Sequence, residues 1–317
     1  MRARDTYRRL SSATRQGPPI CASNVITMES QEEVMKRLFL FCFAAAVCAG
    51  QGPKIFIVTD MEGVGGVNNA DEQLLPGQRR YEESRRLLTG EVNAAVVGAL
   101  EAGASQVVIW DGHDASRSLS IDEIHPRAQL IQGRDTPADY YLGEKLYDGI
   151  MFVGQHAMAQ AKGGVLAHSQ SFRVQNIFLN GKPVGETGQV AAIAGYFDIP
   201  VIMLSGDQAA CEEMLGLQPK AETVAVKRLV GTSSTLSLSH AEAKAQIQAA
   251  ARRAVTRVKE FAPWKISGPV EMKIESFPGK PGVSTTALSR EEKQFSPRTV
   301  VYRGRNVLEV YQRWMGE

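Results

Sequence analysis

The stretch Lys54-Ile55-Phe56-Ile57-Val58-Thr59-Asp60-Met61-Glu62-Gly63 decides the fold. Its apolar run is short, unbroken and rich in β-branched residues, which reads as a strand buried on both faces of a parallel sheet. A helical pattern follows over residues 80–102. It places Leu88, Val92, Ala95, Val96, Ala99 and Leu100 at three- and four-residue spacing, with Gly103 as terminator. Gln106–Trp110 is the next buried strand, Ala128–Ile131 a weaker one, 139–147 a helix and 149–153 another strand. Strands alternating with helices predict βαβ units, hence an α/β fold of three α/β/α layers around a mostly parallel sheet.

That rhythm breaks at 171–185. Residues 171–179 and 182–185 flank Asn180-Gly181, a pair suited to the positive φ angles of a type I′ turn, so a β-hairpin is expected. A helix at 186–197, a strand at 201–204, a helix opened by Asp207 and a strand at 223–227 resume the α/β pattern. Past Gly231-Thr232-Ser233-Ser234, Ser239 and Glu242 form a capping box for a helix running to about Phe261. Strands near 270–275 and 299–302 and a helix ending at Met315 complete the chain. This reading divides it into an α/β metal-binding catalytic domain at 50–232 and a smaller α+β domain at 233–317, with the hairpin near 165–185 packing with the second.

Residues 1–49 do not belong to either. Met35-Lys36-Arg37 and the apolar run 38–47, followed by Ala49-Gly50, have the three-part grammar of a secretory signal, with cleavage expected after Ala49. The run falls well short of the roughly 20 residues that span a bilayer. The expectation is a secreted or periplasmic protein with no stable membrane insertion after cleavage; lipid attachment at Cys48 is the alternative. Residues 1–34 are polar, Arg-rich and patternless, and read as a mis-called extension ahead of the true start at Met35.

Subtracting this segment changes the arithmetic. The 317 residues carry 36 Lys/Arg, 34 Asp/Glu and four cysteines. Seven of the bases, four of the acids and three of the cysteines lie in 1–49, leaving 29 bases, 30 acids, a net charge of −1 and Cys211 alone. One thiol makes no internal disulfide, and a near-neutral body gives no electrostatic case for a nucleic-acid partner. At 44% hydrophobic and 22% charged residues, disorder, collagen-like repeats and small disulfide scaffolds are excluded.

Three predicted strands end in polar residues of one kind. The first runs into Asp60-Met61-Glu62-Gly63, the second into Asp111-Gly112-His113-Asp114, the third into Gly154-Gln155-His156. Ligands of open parallel sheets collect at the carboxyl ends of the strands, so these groups converge. Carboxylates and imidazoles at one sheet edge suit a first-row metal such as zinc. Of five histidines, two end strands there, and a third, His168, lies in the loop Gly163-Gly164-Val165-Leu166-Ala167-His168-Ser169. A dinucleotide loop counted from Gly63 fails at Asn68, and the preceding acids would repel a pyrophosphate. Asp60-x-Glu62 only faintly matches the Asp-x-Asp of aspartyl-phosphate phosphatases. His125, before Pro126, His240, in a first helical turn, and Cys211 read as structural or solvated. Asp114 reads as an orienter of His113 or a cap, and Lys227 as a solvated strand end.

Five ordered motifs carry a resemblance. Asp60-Met61-Glu62-Gly63, Asp111-Gly112-His113, Gly154-Gln155-His156-Ala157, Gly164-Val165-Leu166-Ala167-His168-Ser169 and Val184-Gly185-Glu186-Thr187-Gly188 resemble those of the zinc-dependent D-aminopeptidases of the DppA type, peptidase family M55. The likeness runs from about Lys54 to Lys227 and is collinear beyond. It implies a metallo-aminopeptidase acting on short peptides with N-terminal D-amino acids, such as D-Ala peptides. Two Zn2+ ions per chain would be held by Asp60 as bridging carboxylate with Glu62, His113, His156 and Glu186. His168 matches the family's non-ligand catalytic histidine. The resemblance also implies a homo-oligomer, a decamer. The chain departs from it in carrying an export signal and in a His156–His168 segment one residue longer. The rival functions are another metallohydrolase on the same scaffold, an amidase or phosphoesterase, and an exported solute-binding protein without catalysis.

Overall fold

A computed structural model describes residues 52–114, 116–133, 142–143, 146–277 and 298–316. The segments read as an export signal at 35–49 and an extension at 1–34, Cys48 and most of the helix read at 139–147 lie outside the described residues.

The elements run β1 (Lys54–Thr59), α1 (Ala70–Gln73), α2 (Tyr81–Glu101), β2 (Gln106–Trp110), β3 (Ala128–Ile131), β4 (Gly149–Gln155), β5 (Val174–Leu179), β6 (Lys182–Pro183), α3 (Glu186–Tyr196), β7 (Val201–Asp207), α4 (Gln208–Leu217), β8 (Glu222–Val230), β9 (Ser234–Ser237), α5 (His240–Thr256), a 3-10 turn (Val258–Glu260), β10 (Val270–Ser276), β11 (Arg298–Gly304) and α6 (Val307–Met315). The larger sheet has the order β3-β2-β1-β4-β7-β8-β9 and is parallel except for β9. A second, antiparallel sheet has the order β11-β10-β5-β6. The α/β expectation therefore holds, with the smaller antiparallel sheet beside it.

Both faces of the larger sheet are covered, as its unbroken apolar strands require. On one face Ile55, Ile57, Val107 and Ile109 pack with Leu88, Val92, Val96 and Ala99 of α2 and with Ala243, Ile247, Ala250 and Ala254 of α5. On the other, Phe56, Ile150, Phe152 and Leu204 meet α3, α4, the small sheet and α6. The boundary read at residue 233 does not coincide with a change of sheet. β9 pairs with β8, and α5, whose inner face is mostly alanine, lies against α2 and the larger sheet. The small sheet is instead drawn from two distant pieces, the 174–183 hairpin and the 270–304 strands. A pairing between residues about 95 positions apart leaves no local mark in a sequence. The hairpin itself is as expected: Asn180 and Gly181 both have positive φ, 48° and 79°.

Order reverses at β1. The chain lays β2 and β3 on one side of it and then returns to place β4 on the other, so the crevice between the carboxyl ends of β1 and β4 is the topological switch point. Among the described residues no helix is long and apolar enough to cross a membrane.

Candidate metal centre

At that crevice the loop after β1 is bolted to β4. The Asp60 N–H donates to Val153 O (2.9 Å) and the Gly63 N–H to Gly154 O (2.8 Å). Two glycines permit this approach. A Cβ on Gly63 would lie 1.9 Å from Gln155 O, and one on Gly154, whose φ is +80°, would lie 2.1 Å from Asp60 O. Asp60 and Glu62 are thereby held against the strand that delivers His156, while β2, paired with β1 on the other side, delivers His113.

The carboxylate of Asp60 faces two histidines. Its Oδ1 lies 3.0 Å from His113 Nδ1 and its Oδ2 3.2 Å from His156 Nε2. Glu62 Oε2 lies 3.0 Å from His113 Nδ1; Glu186 Oε1 lies 3.5 Å from His156 Nε2 and 3.6 Å from His168 Nε2. Two groups result, Asp60-Glu62-His113 and His156-His168-Glu186, each with its ligand-type atoms within 4.8 Å of one another. All six residues that the sequence singled out thus meet in one place, Glu186 from the N-terminus of α3 and His168 from the loop before β5.

Each imidazole is fixed from behind by a backbone carbonyl. His113 Nε2 faces Leu74 O, His156 Nδ1 faces Ala157 O and His168 Nδ1 faces Leu166 O, all at 2.9 Å. An N–H donated to the carbonyl leaves the other ring nitrogen as a lone pair turned toward the carboxylates. That arrangement of carbonyl, imidazole and open lone pair is the one that orients metal-ligating histidines. Asp60 Oδ2, Glu62 Oε2 and His156 Nε2 are buried and have no hydrogen-bond partner of acceptable geometry. Acceptors facing acceptors in a buried site call for a cation between them. Without one the site must hold protons. Burial works to lower the pKa values of His113 and His156, but the neighbouring carboxylates carry both well above the ordinary histidine value. Burial likewise pushes Asp60 and Glu186 up, and the histidines outweigh it and hold both below the usual carboxylate range. Nitrogen and oxygen donors of this kind, with no thiolate, fit zinc.

A cavity of about 580 Å³ opens on the site. Asp60, Glu62, His113, His168 and Glu186 line it, with Leu74 and Phe172 among its apolar walls. His168 is stacked between His156 (centroids 4.0 Å apart, 10° between planes) and Phe172 (4.3 Å, 27°). His168 reaches the cavity wall while His156 is shut behind it.

Other supports were not legible in the sequence. Lys227, read as a solvated strand end, is 2% exposed, and its Nζ donates to the carbonyls of Glu62 and Val67. Burial brings its pKa down to about 8. Glu91, on the inner face of α2, accepts from the Gly65 N–H (3.0 Å), and burial raises its pKa to about 7. Glu213 of α4 accepts from both Met158 N–H (2.8 Å) and Gly185 N–H (3.0 Å), so one carboxylate pins the loop after His156 and the turn before Glu186. The Asp207 side chain caps α4 through Ala210 N–H and also accepts from Val165 N–H (3.0 Å) in the His168 loop. Apart from the Asp207 cap on Ala210, these partners lie 26 or more residues away, beyond any spacing rule. Asp114 is exposed at the cavity wall, and the group behind His113 is the Leu74 carbonyl instead. His240 is half-buried, its ring packed over Gly90 of α2, where a Cβ would lie 2.3 Å from Nε2. Cys211 is the inert thiol expected, buried and pushed up to about 12.

Known proteins share this architecture. The chain is 37% identical to a D-aminopeptidase of Bacillus subtilis (strain 168) over 191 residues, 60% of this chain and 69% of that one. Its structure superposes with a TM-score of 0.73 and 30% identity on the Zn-dependent D-aminopeptidase DppA from Bacillus subtilis, a self-compartmentalizing protease, covering 83% of this chain and 96% of that one. A family profile for D-aminopeptidases matches residues 54–315, and so spans every residue that converges on the crevice. The chain belongs to the D-aminopeptidase family, peptidase family M55.

Proposed function

We propose that this chain is an exported, zinc-dependent aminopeptidase that removes N-terminal D-amino acids from short peptides. The observation that carries the reading is the pair of ligand groups joined through the two oxygens of Asp60 at the floor of a peptide-sized cavity. Asp60, Glu62, His113, His156 and Glu186 would hold the zinc, with Asp60 placed to serve both groups. Zinc bound there supplies Lewis acidity toward the scissile carbonyl and lowers the pKa of water toward neutrality.

The remaining work falls to the protein. His168 is held by the Leu166 carbonyl and by stacking on both ring faces, so its Nε2 stays at the cavity wall, 3.6 Å from Glu186 Oε1 and 3.9 Å from Glu62 Oε1. There it serves as the proton carrier, taking a proton from the attacking water and delivering it to the leaving amine. The zinc-dependent, self-compartmentalizing protease of Bacillus subtilis supports the metal and the assembly of several subunits; a ring-stacked decamer rests on the family likeness. The basic and apolar segment at 35–49 supports export.

The test separates ligand from proton carrier. His168→Ala should keep its zinc and lose about 10²–10⁴-fold in kcat. Asp60→Ala should lose both metal and activity. Zinc loss in His168→Ala equal to that in Asp60→Ala would show that His168 is a ligand and remove it from the proton-transfer role.

A further inference from the structure

Arg173 lines the same cavity, immediately after the Phe172 ring that stacks on His168. Its backbone is fixed, the N–H donating to Ser171 Oγ (3.2 Å) and the carbonyl accepting from Phe277 N–H (2.9 Å). Its guanidinium is not. Nη2 is closed off from solvent and has no hydrogen-bond partner among the described residues. A guanidinium is permanently charged and presents its donors as a planar fork matched to a carboxylate, and buried donors of this kind are seldom left unpaired. The other charged groups lining the cavity are the carboxylates of Asp60, Glu62, Asp71, Asp114 and Glu186, beside two histidines. Among the described lining residues Arg173 is the permanent cation, and none of these carboxylates hydrogen-bonds its Nη2.

A short peptide has the complementary charge pattern, an ammonium at one end and a carboxylate at the other. We propose that Arg173 binds the free C-terminal carboxylate of the peptide substrate and so selects di- and tripeptides over longer or C-terminally blocked chains. The proposal rests on the peptide-hydrolase reading above. A cavity of about 580 Å³ is in the range that encloses ligands of this size. Ammonium end toward the acidic floor and carboxylate end on Arg173 would also fix which peptide bond lies over the metal site. Arg173 in this role is a specificity-determining residue that takes no part in the bond-breaking step.

The experiment uses zinc-loaded protein and two probes, the non-hydrolysable reduced-amide analogue of D-alanyl-D-alanine and the C-terminal carboxamide of that analogue. Calorimetry should show the free acid binding roughly tenfold or more tighter than the carboxamide, as expected for a charged hydrogen bond. In Arg173→Met the acid should weaken to the level of the carboxamide, with carboxamide affinity, zinc content and melting temperature unchanged. Arg173→Lys should restore part of the difference. In turnover, the same substitution should raise KM for D-alanyl-D-alanine, hold kcat, and leave D-alanyl-D-alaninamide unaffected. Equal binding of acid and carboxamide by the wild-type protein overturns the proposal without any variant, and so does an equal loss on both probes in Arg173→Met. Turnover of acid and carboxamide at the same rate sinks this inference while the aminopeptidase reading stands. Carboxylate-dependent binding without hydrolysis of any D-alanyl peptide does the reverse.

Discussion

The two oxygens of Asp60 face different histidines, and the Met61 N–H, which donates to Oδ1 (2.8 Å), fixes the carboxylate between them. The residues around it are specialised to keep that geometry. Lys227 grips the carbonyl of Glu62 from below, and Glu91 grips the N–H of Gly65. Glu91 also gives stability a pH dependence. Burial raises its folded pKa to about 7, above its unfolded value. Its contribution is therefore whole below about pH 4.5, where both states hold the proton, and is lost as pH rises toward 7. Glu91→Gln keeps an acceptor for Gly65 and removes the titration. Denaturant unfolding should find the variant similar to wild type at pH 4.5 and more stable by about 2–3 kcal/mol at pH 8. A difference that does not change between those pH values would show that Glu91 is already ionised in the fold.

At the scale of elements, the site depends on how closely the β1 loop approaches β4. Gly154→Ala adds a Cβ 2.1 Å from Asp60 O at a residue with φ +80°. The overlap and the left-handed backbone together should cost about 3 kcal/mol or more. Because the displaced atom belongs to Asp60, zinc affinity should fall with stability. Melting curves with and without added zinc check this, and a stable variant with full metal would contradict the bolted-loop picture. The same scale explains what the sequence could show. Asp60, Glu62, His113 and His156 were visible because each terminates an apolar strand, and the sheet's topology brings strand ends together. Glu186 looked like an ordinary first-turn acid until the family likeness singled it out. It reaches the site only because the 174–183 hairpin and Glu213 place the start of α3 there. Lys227, Glu213 and Arg173 carry no local signal, since their meaning lies in partners or cavities assembled from distant segments. The domain boundary was obscured for the same reason. α5 follows a change of sequence style yet packs back on α2, while the small sheet collects strands from two remote stretches.

At the scale of the whole molecule, the chain joins a floor of metal-ligating residues and a cavity sized for short peptides. If it assembles as a closed ring stack, sedimentation of residues 50–317 should give a species many times the protomer mass. A monomer at micromolar concentration would remove the decamer from the proposal and leave the chemistry intact. The central claim is that the crevice holds two zinc ions and uses them to cleave after an N-terminal D-residue. It is tested most directly by measuring the metal content of purified residues 50–317 together with their turnover of matched D-alanyl and L-alanyl dipeptides, before and after chelation. The account predicts about two zinc ions per chain, release of D-alanine from the D-peptide in preference to L-alanine from the L-peptide, and loss of activity on chelation that added zinc restores. Hydrolysis that survives complete removal of metal would contradict it.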